Sequence, residues 1–414
     1  MSESSFLATP DCVFDVCIIG AGPAGSAAAY LLARQGLSVA LIDRAVFPRD
    51  KTCGDGITPR GTRVLARLGA LAAVRALAYA CNGVMVRANE TTEFAIAFGR
   101  ARDEGAQSGL SDLLVLPRHT LDDLLLQHAL SAGPSYFPDT RIVAVDETAE
   151  RCEIAADDGR RFTAKLAVIA TGAQSQLLRA TGLLDAKPPL EHAARAYFDN
   201  VAGLTKDVVL FFDGIDAPGY GWIFPTSPTS ANIGCGVFAR SAMPQAQRLK
   251  QLLATHPLLT RILRDANQTS PIQAYPLRTD YKPVYAGSNR RLVIGEAAGL
   301  VNPVTGEGID YALESAEFLA DAIAAVGISA QPSRIATAYR SRLARRFRTR
   351  FLLYRAVQRH ALTAERTPAL LAYVKATPSL QRLVIDGLFG RVKPTHLLKP
   401  STLYHAARLV LAKP

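Results

Sequence analysis

The chain is poor in the residues that staple, chelate or anchor a protein. Its six cysteines stand at positions 12, 17, 53, 81, 152 and 235 with no CxxC or other metal-ligand spacing, so neither a disulfide framework nor a metal site is expected. The opening MSESSFLATPDC lacks the basic then apolar plan of a secretory leader, and the sequence therefore predicts a cytoplasmic protein in a reducing compartment. No run approaches the roughly 18 apolar residues that a bilayer-spanning helix needs. There is a single tryptophan, Trp222. Acids are almost missing from one region: positions 331–414 carry 17 Lys/Arg against two acids, Glu365 and Asp386, within a chain of net charge +11. The basicity thus belongs to the C-terminal segment. Against these shortages stand 49% hydrophobic and 20% charged residues over 414 positions, the composition of a globular protein with a sizeable core and two or three domains.

What is present near the start is a nucleotide fingerprint. FDVCIIGAGPAGSAAAYLLARQGLSVALIDR passes from an apolar β-type stretch, Val16 to Ile19, through glycines and an Ala/Leu-rich helical pattern into a second β-type stretch, Val39 to Ile42. The order is strand, turn, helix, strand. Gly20, Gly22 and Gly25 form GxGxxG around Pro23 and Ala24; the first glycine admits the bend, the second lets a pyrophosphate approach the backbone, and the third lets helix and strand pack closely. Asp43, followed by Arg44, closes the second strand, where a carboxylate can accept hydrogen bonds from ribose hydroxyls. A solvated strand end is the alternative reading of Asp43.

A second piece lies far downstream in RRLVIGEAAGLVNPVTGEGIDYALESAEFLADAI, residues 290–323. An apolar strand, Leu292 to Ile294, enters Gly295 and Glu296; Gly306 and Gly308 then precede a helical pattern starting near Ile309. A nicotinamide-binding domain needs no such late return to its cofactor, whereas a chain that holds the extended ribityl of FAD does. Glu296 is placed to bind a ribityl hydroxyl, and the helix after Gly308 to direct its N-terminal dipole at the electron-rich pyrimidine end of the flavin.

Three further motifs complete the pattern: KTCGDG with Lys51, Cys53, Gly54, Asp55 and Gly56; YGWIFP with Tyr220, Trp222, Phe224 and Pro225; and GEAAGLVNPVTGEGI. With them the sequence resembles the FAD-dependent geranylgeranyl reductases, a branch of the p-hydroxybenzoate-hydroxylase-like flavoproteins. LPRHTLDDLLLQHA adds Arg118 and Asp122 in an Arg-x-x-x-Asp element, whose arginine lies near the cofactor in such proteins. The resemblance implies an α/β fold: a Rossmann-type FAD-binding domain (12–80, 111–184 and 281–330), an inserted β-sheet substrate domain (81–110 and 185–280) and a basic helical segment (331–414). It also implies that the CGDG loop lies beside the flavin ring at the cavity entrance. Glycines on both sides of Cys53 let the backbone approach a planar ring, and a thiol there would donate a proton or touch substrate, with Lys51 favouring the thiolate. Cys53 as a small packed residue is the other reading. Asp55, Tyr220, Trp222, Phe224 and Pro225 are assigned to the cavity, with Tyr220, Trp222 and Phe224 on one side of a strand by its period of two.

Two departures bear on the electron donor. Thr171, before Gly172 in the cofactor-binding stretch IATGAQSQ, stands where many relatives carry an acid linked to NAD(P)H use, and Glu296 replaces the more usual aspartate. No second GxGxxG is present, so NAD(P)H and a separate reductase both stand as sources of electrons.

In AYRSRLARRFRTRFLLYRAV, Leu343, Phe347, Phe351 and Tyr354 recur at helical spacing, with Arg340, Arg342, Arg345, Arg346, Arg348 and Arg350 around them. This is an amphipathic cationic helix, read either as docked on the FAD domain, as resting on an anionic membrane surface through 340–354, or as meeting an anionic substrate group. No recognition motif accompanies the charge, so nucleic acid is not expected as a partner. The leading expectation is an FAD-dependent reductase of prenyl double bonds acting on an apolar substrate. An oxygen-using monooxygenase is the alternative; a halogenase is disfavoured because Tyr220 and Trp222 stand where halogenases pair two tryptophans. A flavin-binding, membrane-associated module without turnover is the third reading.

Overall fold

The computed structural model describes residues 13–89, 92–98, 113–238, 243–388 and 390. Cys12, the stretch 99–112 and residues 391–414, each part of a segment assigned above, lie outside the described residues.

The first sheet forms because its strands are apolar on both faces. Val13–Ile19 lies parallel to Val39–Ile42 on one side and to Arg161–Ile169 on the other, in registers such as Ile19 with Ile42 and Ile19 with Ile169. Continuous apolar runs are what a parallel strand covered above and below requires. The late strand Arg291–Val293 joins the same sheet, parallel to Ala167, Val168 and Ile169. This pairing brings GEAAG, 275 residues after GAGPAG in the chain, to the same edge of the sheet. Helix Pro23–Ala33, whose proline sits in the first turn where no N–H is needed, packs between the helices Arg118–Leu130 and Ile309–Val326.

A second sheet is drawn from residues 83–97 and 191–277, in the strand order Asn267–Gln268, Glu191–Asp199, Ala231–Val237, Gly219–Pro225, Asp207–Phe211, Gly83–Arg87, Glu93–Ala97, with Gln273–Leu277 also on Glu191–Asp199. The protein is therefore a mixed α/β molecule with a Rossmann-like FAD-type sheet, a β-rich second layer and C-terminal helices.

The basic helix is docked rather than free. It continues from Pro332–Leu343 through a π-helical turn, Ala344–Arg348, into Thr349–His360. Leu343, Phe347 and Phe351 are buried, with Phe351 edge-on to Tyr281 at 5.2 Å and Phe347 tilted against Tyr311 at 5.4 Å. Its apolar face is thus spent inside the protein. Beyond it, helices Thr367–Ala376 and Pro378–Leu388 set Leu371, Val374, Leu380 and Ile385 against Val84, Val86, Phe94 and Ile96 of the second sheet. The charge of the C-terminal segment conceals this apolar roof. No helix among the described residues is long and apolar enough to cross a membrane.

Candidate flavin and substrate site

One cavity of about 1010 Å³ runs from the glycine turns of the first sheet to the apolar face of the second. Its size lies at the top of the roughly 300–1,000 Å³ usual for a single ligand. Of the residues expected to hold a cofactor, Gly20, Gly22, Pro23, Ala24, Asp43, Arg44, Cys53, Gly54, Arg118, Thr171, Gly172, Glu296, Gly306, Gly308 and Ile309 line it. Gly25 and Gly295 do not. A Cβ on Gly25 would overlap the Gly20 carbonyl oxygen and sit 2.9 Å from its carbon, so this glycine exists for helix-on-strand contact; Gly295, at φ +62, backs onto Ala24 and Ala312. Asp43 accepts the Ala21 N–H at 2.6 Å and the Ala45 N–H at 2.8 Å. It therefore holds the turn, and keeps lone pairs for a ribose. Arg44 reaches Gln174 on the rim.

The helices that start after Gly22 and Gly308 both begin at this cavity without a side-chain cap. Unclaimed N–H groups and a positive dipole end at two places on one elongated wall are what the pyrophosphate and the flavin carbonyls of FAD require. The residues present fit that group. Arg49, not singled out from sequence, lies with a guanidinium nitrogen 3.4 Å from where a Gly22 Cβ would be, and pairs with Asp122 at 2.9 Å.

The CGDG loop is fastened from all sides. Asp55 is fully buried at φ +67, a left-handed conformation that Asp tolerates better than most residues. Its carboxylate accepts from the Tyr197 hydroxyl at 2.6 Å, the Asn232 amide at 2.7 Å and the Arg118 backbone N–H at 3.2 Å. Asp55 thus lines the cavity but spends its charge on the loop, while burial pushes its pKa up to about 6 against those hydrogen bonds. Arg118 is clamped in two 2.6 Å hydrogen bonds to Asp122. Lys51 favours the Cys53 thiolate as expected, but burial outweighs it. Its ammonium pairs with Glu296 at 2.9 Å and lies 4.9 Å from the centroid of the Tyr275 ring, and burial, outweighing Arg118 and Lys51, raises the thiol's pKa. Cys53 is a protonated thiol, not a thiolate, because desolvation penalises the anion more than the nearby cations favour it.

The aromatic wall is built on glycines. Trp222 lies across Gly234 of the neighbouring strand, whose added Cβ would come 2.6 Å from Trp222 Cε2; Phe224 packs on Gly54, where a Cβ would be 3.3 Å from Cε2. Tyr220, Trp222 and Phe224 all line the cavity, but Pro225 does not: it pairs with Ala231 on the odd-numbered face of the strand. Alternation turns it away. Asn232 joins wall and loop, accepting the Trp222 indole N–H at 2.9 Å while its amide donates to the Cys53 carbonyl and to Asp55, each at 2.7 Å.

The family described as "FAD binding domain" matches residues 13–349. The chain belongs to this FAD-binding family. The flavoprotein is 32% identical over 344 residues to a menaquinone reductase of Mycolicibacterium smegmatis, covering 80% of this chain and 82% of that one. It is 29% identical over 327 residues to digeranylgeranylglycerophospholipid reductase 2 of Methanopyrus kandleri, covering 72% and 74%. The fold matches a geranylgeranyl bacteriochlorophyll reductase-like protein of Thermoplasma acidophilum with a TM-score of 0.77 at 19% identity, over 96% and 99% of the two chains. The protein is an FAD-dependent oxidoreductase.

Three parts of this flavoprotein's site escaped the sequence reading. Asn232 and Tyr197 are lone polar residues in β-type runs; the signal was a polar side chain at an inward-facing position. Gln358 of the basic helix donates to Glu191 at 2.9 Å, the Phe238 carbonyl at 2.9 Å and the Pro303 carbonyl at 3.0 Å. It ties helix, second sheet and the GEGI loop together, and nothing in its sequence context marks it. The apolar roof was visible as the spacing Leu370, Leu371, Val374, masked by the attention its charged surroundings draw.

Proposed function

We propose that this flavoprotein saturates carbon–carbon double bonds in a prenyl chain. The observation that carries the reading is the continuity of the cavity: from Cys53 and Trp222 it extends between the second sheet and the C-terminal helices, lined by Val86, Phe94, Ile96, Leu371, Val374 and Ile385. A slot of aliphatic and aromatic walls suits a long hydrocarbon and offers nothing to a polar metabolite. The similarity to a protein named digeranylgeranylglycerophospholipid reductase 2 supports this. Once bound and reduced, the FAD would supply the hydride. The chain's own residues would do the rest: Gly20, Gly22 and Arg49 would hold the pyrophosphate, Asp43 the ribose and Glu296 the ribityl, while Trp222, Tyr220 and Phe224 would orient the alkene and exclude water. Cys53 holds its proton at the cavity wall. Monooxygenation is disfavoured because the described lining of this half is almost wholly apolar, and the hydroxyl of its Thr367 is spent on the Thr363 carbonyl at 2.7 Å.

The test is single turnover without oxygen. Photoreduced holoenzyme mixed with digeranylgeranylglyceryl phosphate should regain oxidised-flavin absorbance, whereas the fully saturated analogue leaves it reduced. Reoxidation only with oxygen, yielding a product that has gained an oxygen atom, would favour the monooxygenase, and an unchanged probe under both conditions the module without turnover.

We further infer that the exposed face of the basic helix rests on an anionic membrane. Arg345, Arg348, Leu352 and Arg359 are exposed at helical spacing, and Val357 and Val384, 43% and 38% exposed, also line the cavity and so mark its mouth. Each arginine near lipid headgroups contributes about 1 kcal/mol. Replacing Arg345, Arg348 and Arg359 with glutamine should reduce sedimentation with phosphatidylglycerol vesicles about 100-fold in affinity; unchanged binding, or equal binding to phosphatidylcholine, contradicts the contact.

A further inference from the structure

We propose that Glu307 is the acid that protonates the second alkene carbon during reduction. This rests on the double-bond reading above and adds the residue that completes its chemistry.

Saturating an alkene requires a hydride on one carbon and a proton on the other. With the reduced cofactor supplying the hydride, a wall residue must break an O–H or S–H bond as the second C–H bond forms, and afterwards recover a proton from solvent. Of the ionisable groups that line the cavity, Lys51 and Glu296 pair with each other and the Asp55 carboxylate is spent on Tyr197, Asn232 and the Arg118 N–H; beside them Cys53, Tyr220 and Glu307 line the wall as candidate donors. Glu307 lies between Gly306 and Gly308 at the start of helix Ile309–Val326. The loop is rigid: the Glu307 carbonyl accepts the Asn302 N–H at 2.9 Å, the Asn302 carbonyl the Gly306 N–H at 2.9 Å, and the Tyr220 hydroxyl donates to Thr305. Glu307 Oε2 is shut off from solvent with no hydrogen-bond partner among the described residues. A carboxylate oxygen in that position is costly, whereas a protonated one is not. Rotation about the last side-chain bond, which is broad and two-fold, exchanges the two oxygens at little cost.

The groups that face Glu307 come from every packed element: Asp310 and Tyr311 of its own helix, Arg60 of helix Pro59–Leu68, Tyr220 of the aromatic strand, and Thr305. Burial and then Asp310 raise the Glu307 carboxyl to about 8, and Arg60 only partly opposes them. The Tyr220 hydroxyl is driven up by burial and the Cys53 thiol likewise. Glu307 therefore combines two properties that the others do not: it keeps its proton at neutral pH and is the strongest acid of the three. A donor with a pKa near the working pH transfers best.

The test compares wild type with Glu307→Gln, which keeps size and polarity but has no acidic proton. In the single-turnover reaction with digeranylgeranylglyceryl phosphate, the wild-type rate should fall tenfold per pH unit above about pH 8 as the proton is lost. The variant should be slower by about 100-fold with a flat profile, and Glu307→Asp should recover part of the rate. FAD affinity and dithionite reduction of the bound flavin should not change. A readout free of turnover accompanies it: infrared difference spectra between neutral and alkaline pH should show a protonated-carboxyl band that disappears in Glu307→Gln. An unchanged rate and pH profile, or no band assignable to Glu307, overturns the proposal. If wild type itself fails to reduce the probe while the band is present, the fault lies with the substrate reading and not with the protonation of Glu307.

Discussion

Gly25→Ala is expected to purify without its yellow cofactor. The added methyl would overlap the Gly20 carbonyl oxygen and lie 2.9 Å from the carbonyl carbon, both backbone atoms that no rotamer change can move. Helix Pro23–Ala33 must then retreat from strand Val13–Ile19, and the N–H groups between Gly20 and Ala24 lose the geometry that receives a pyrophosphate. Overpacking of this kind costs about 1–3 kcal/mol or more; at about 1.4 kcal/mol per decade, FAD affinity should drop roughly 100-fold. Flavin absorbance per mole of protein and a titration with added FAD measure it, and circular dichroism establishes that the remainder is folded. Wild-type affinity in this variant would mean that the turn is not the cofactor's anchor.

The second large effect is expected at Asp122. It is fully buried between two cations, bound to Arg118 through two 2.6 Å hydrogen bonds and paired with Arg49 at 2.9 Å. Removing the acid leaves Arg118 buried without its counter-charge, a situation that costs about 3–5 kcal/mol. The damage should spread to the CGDG loop, because the Arg118 backbone N–H holds Asp55. Asp122→Ala should therefore lower the stability of the holoenzyme by that amount in urea unfolding, followed by the fluorescence of Trp222. A loss below about 1 kcal/mol would show that the guanidinium finds water instead.

These two sites show what a sequence exposes and what it hides. Gly20, Gly22, Gly25, Asp43 and the late GEAAG stretch could be read because a phosphate-binding turn has a fixed spacing that physics imposes locally. The wall residues Tyr220, Trp222 and Phe224 could be read from the period of a strand, and the same rule turns Pro225 away. The surroundings of Lys51 and Cys53 were hidden for another reason: the partner of Lys51, Glu296, is 245 residues distant, and the balance between desolvation and nearby charge at Cys53 depends on burial that neighbours in sequence do not report. Asn232 belongs to the same class, since its three hydrogen bonds bridge chain segments up to 179 residues apart. The roof formed by Leu371, Val374 and Ile385 was written in the sequence as helical spacing, but the excess of arginine around it suggested a surface role for the whole segment.

The flavin end and the apolar slot form one chamber, in which we propose that a prenyl double bond is reduced. The most direct measurement is the mass of the product of one anaerobic turnover, taken after exposure to air so that any reduced quinone ring reverts. With either digeranylgeranylglyceryl phosphate or a prenylated naphthoquinone, a product heavier by two hydrogens per double bond is predicted. A product that has gained oxygen, or probes returned unchanged while the flavin is reduced and bound, would contradict it.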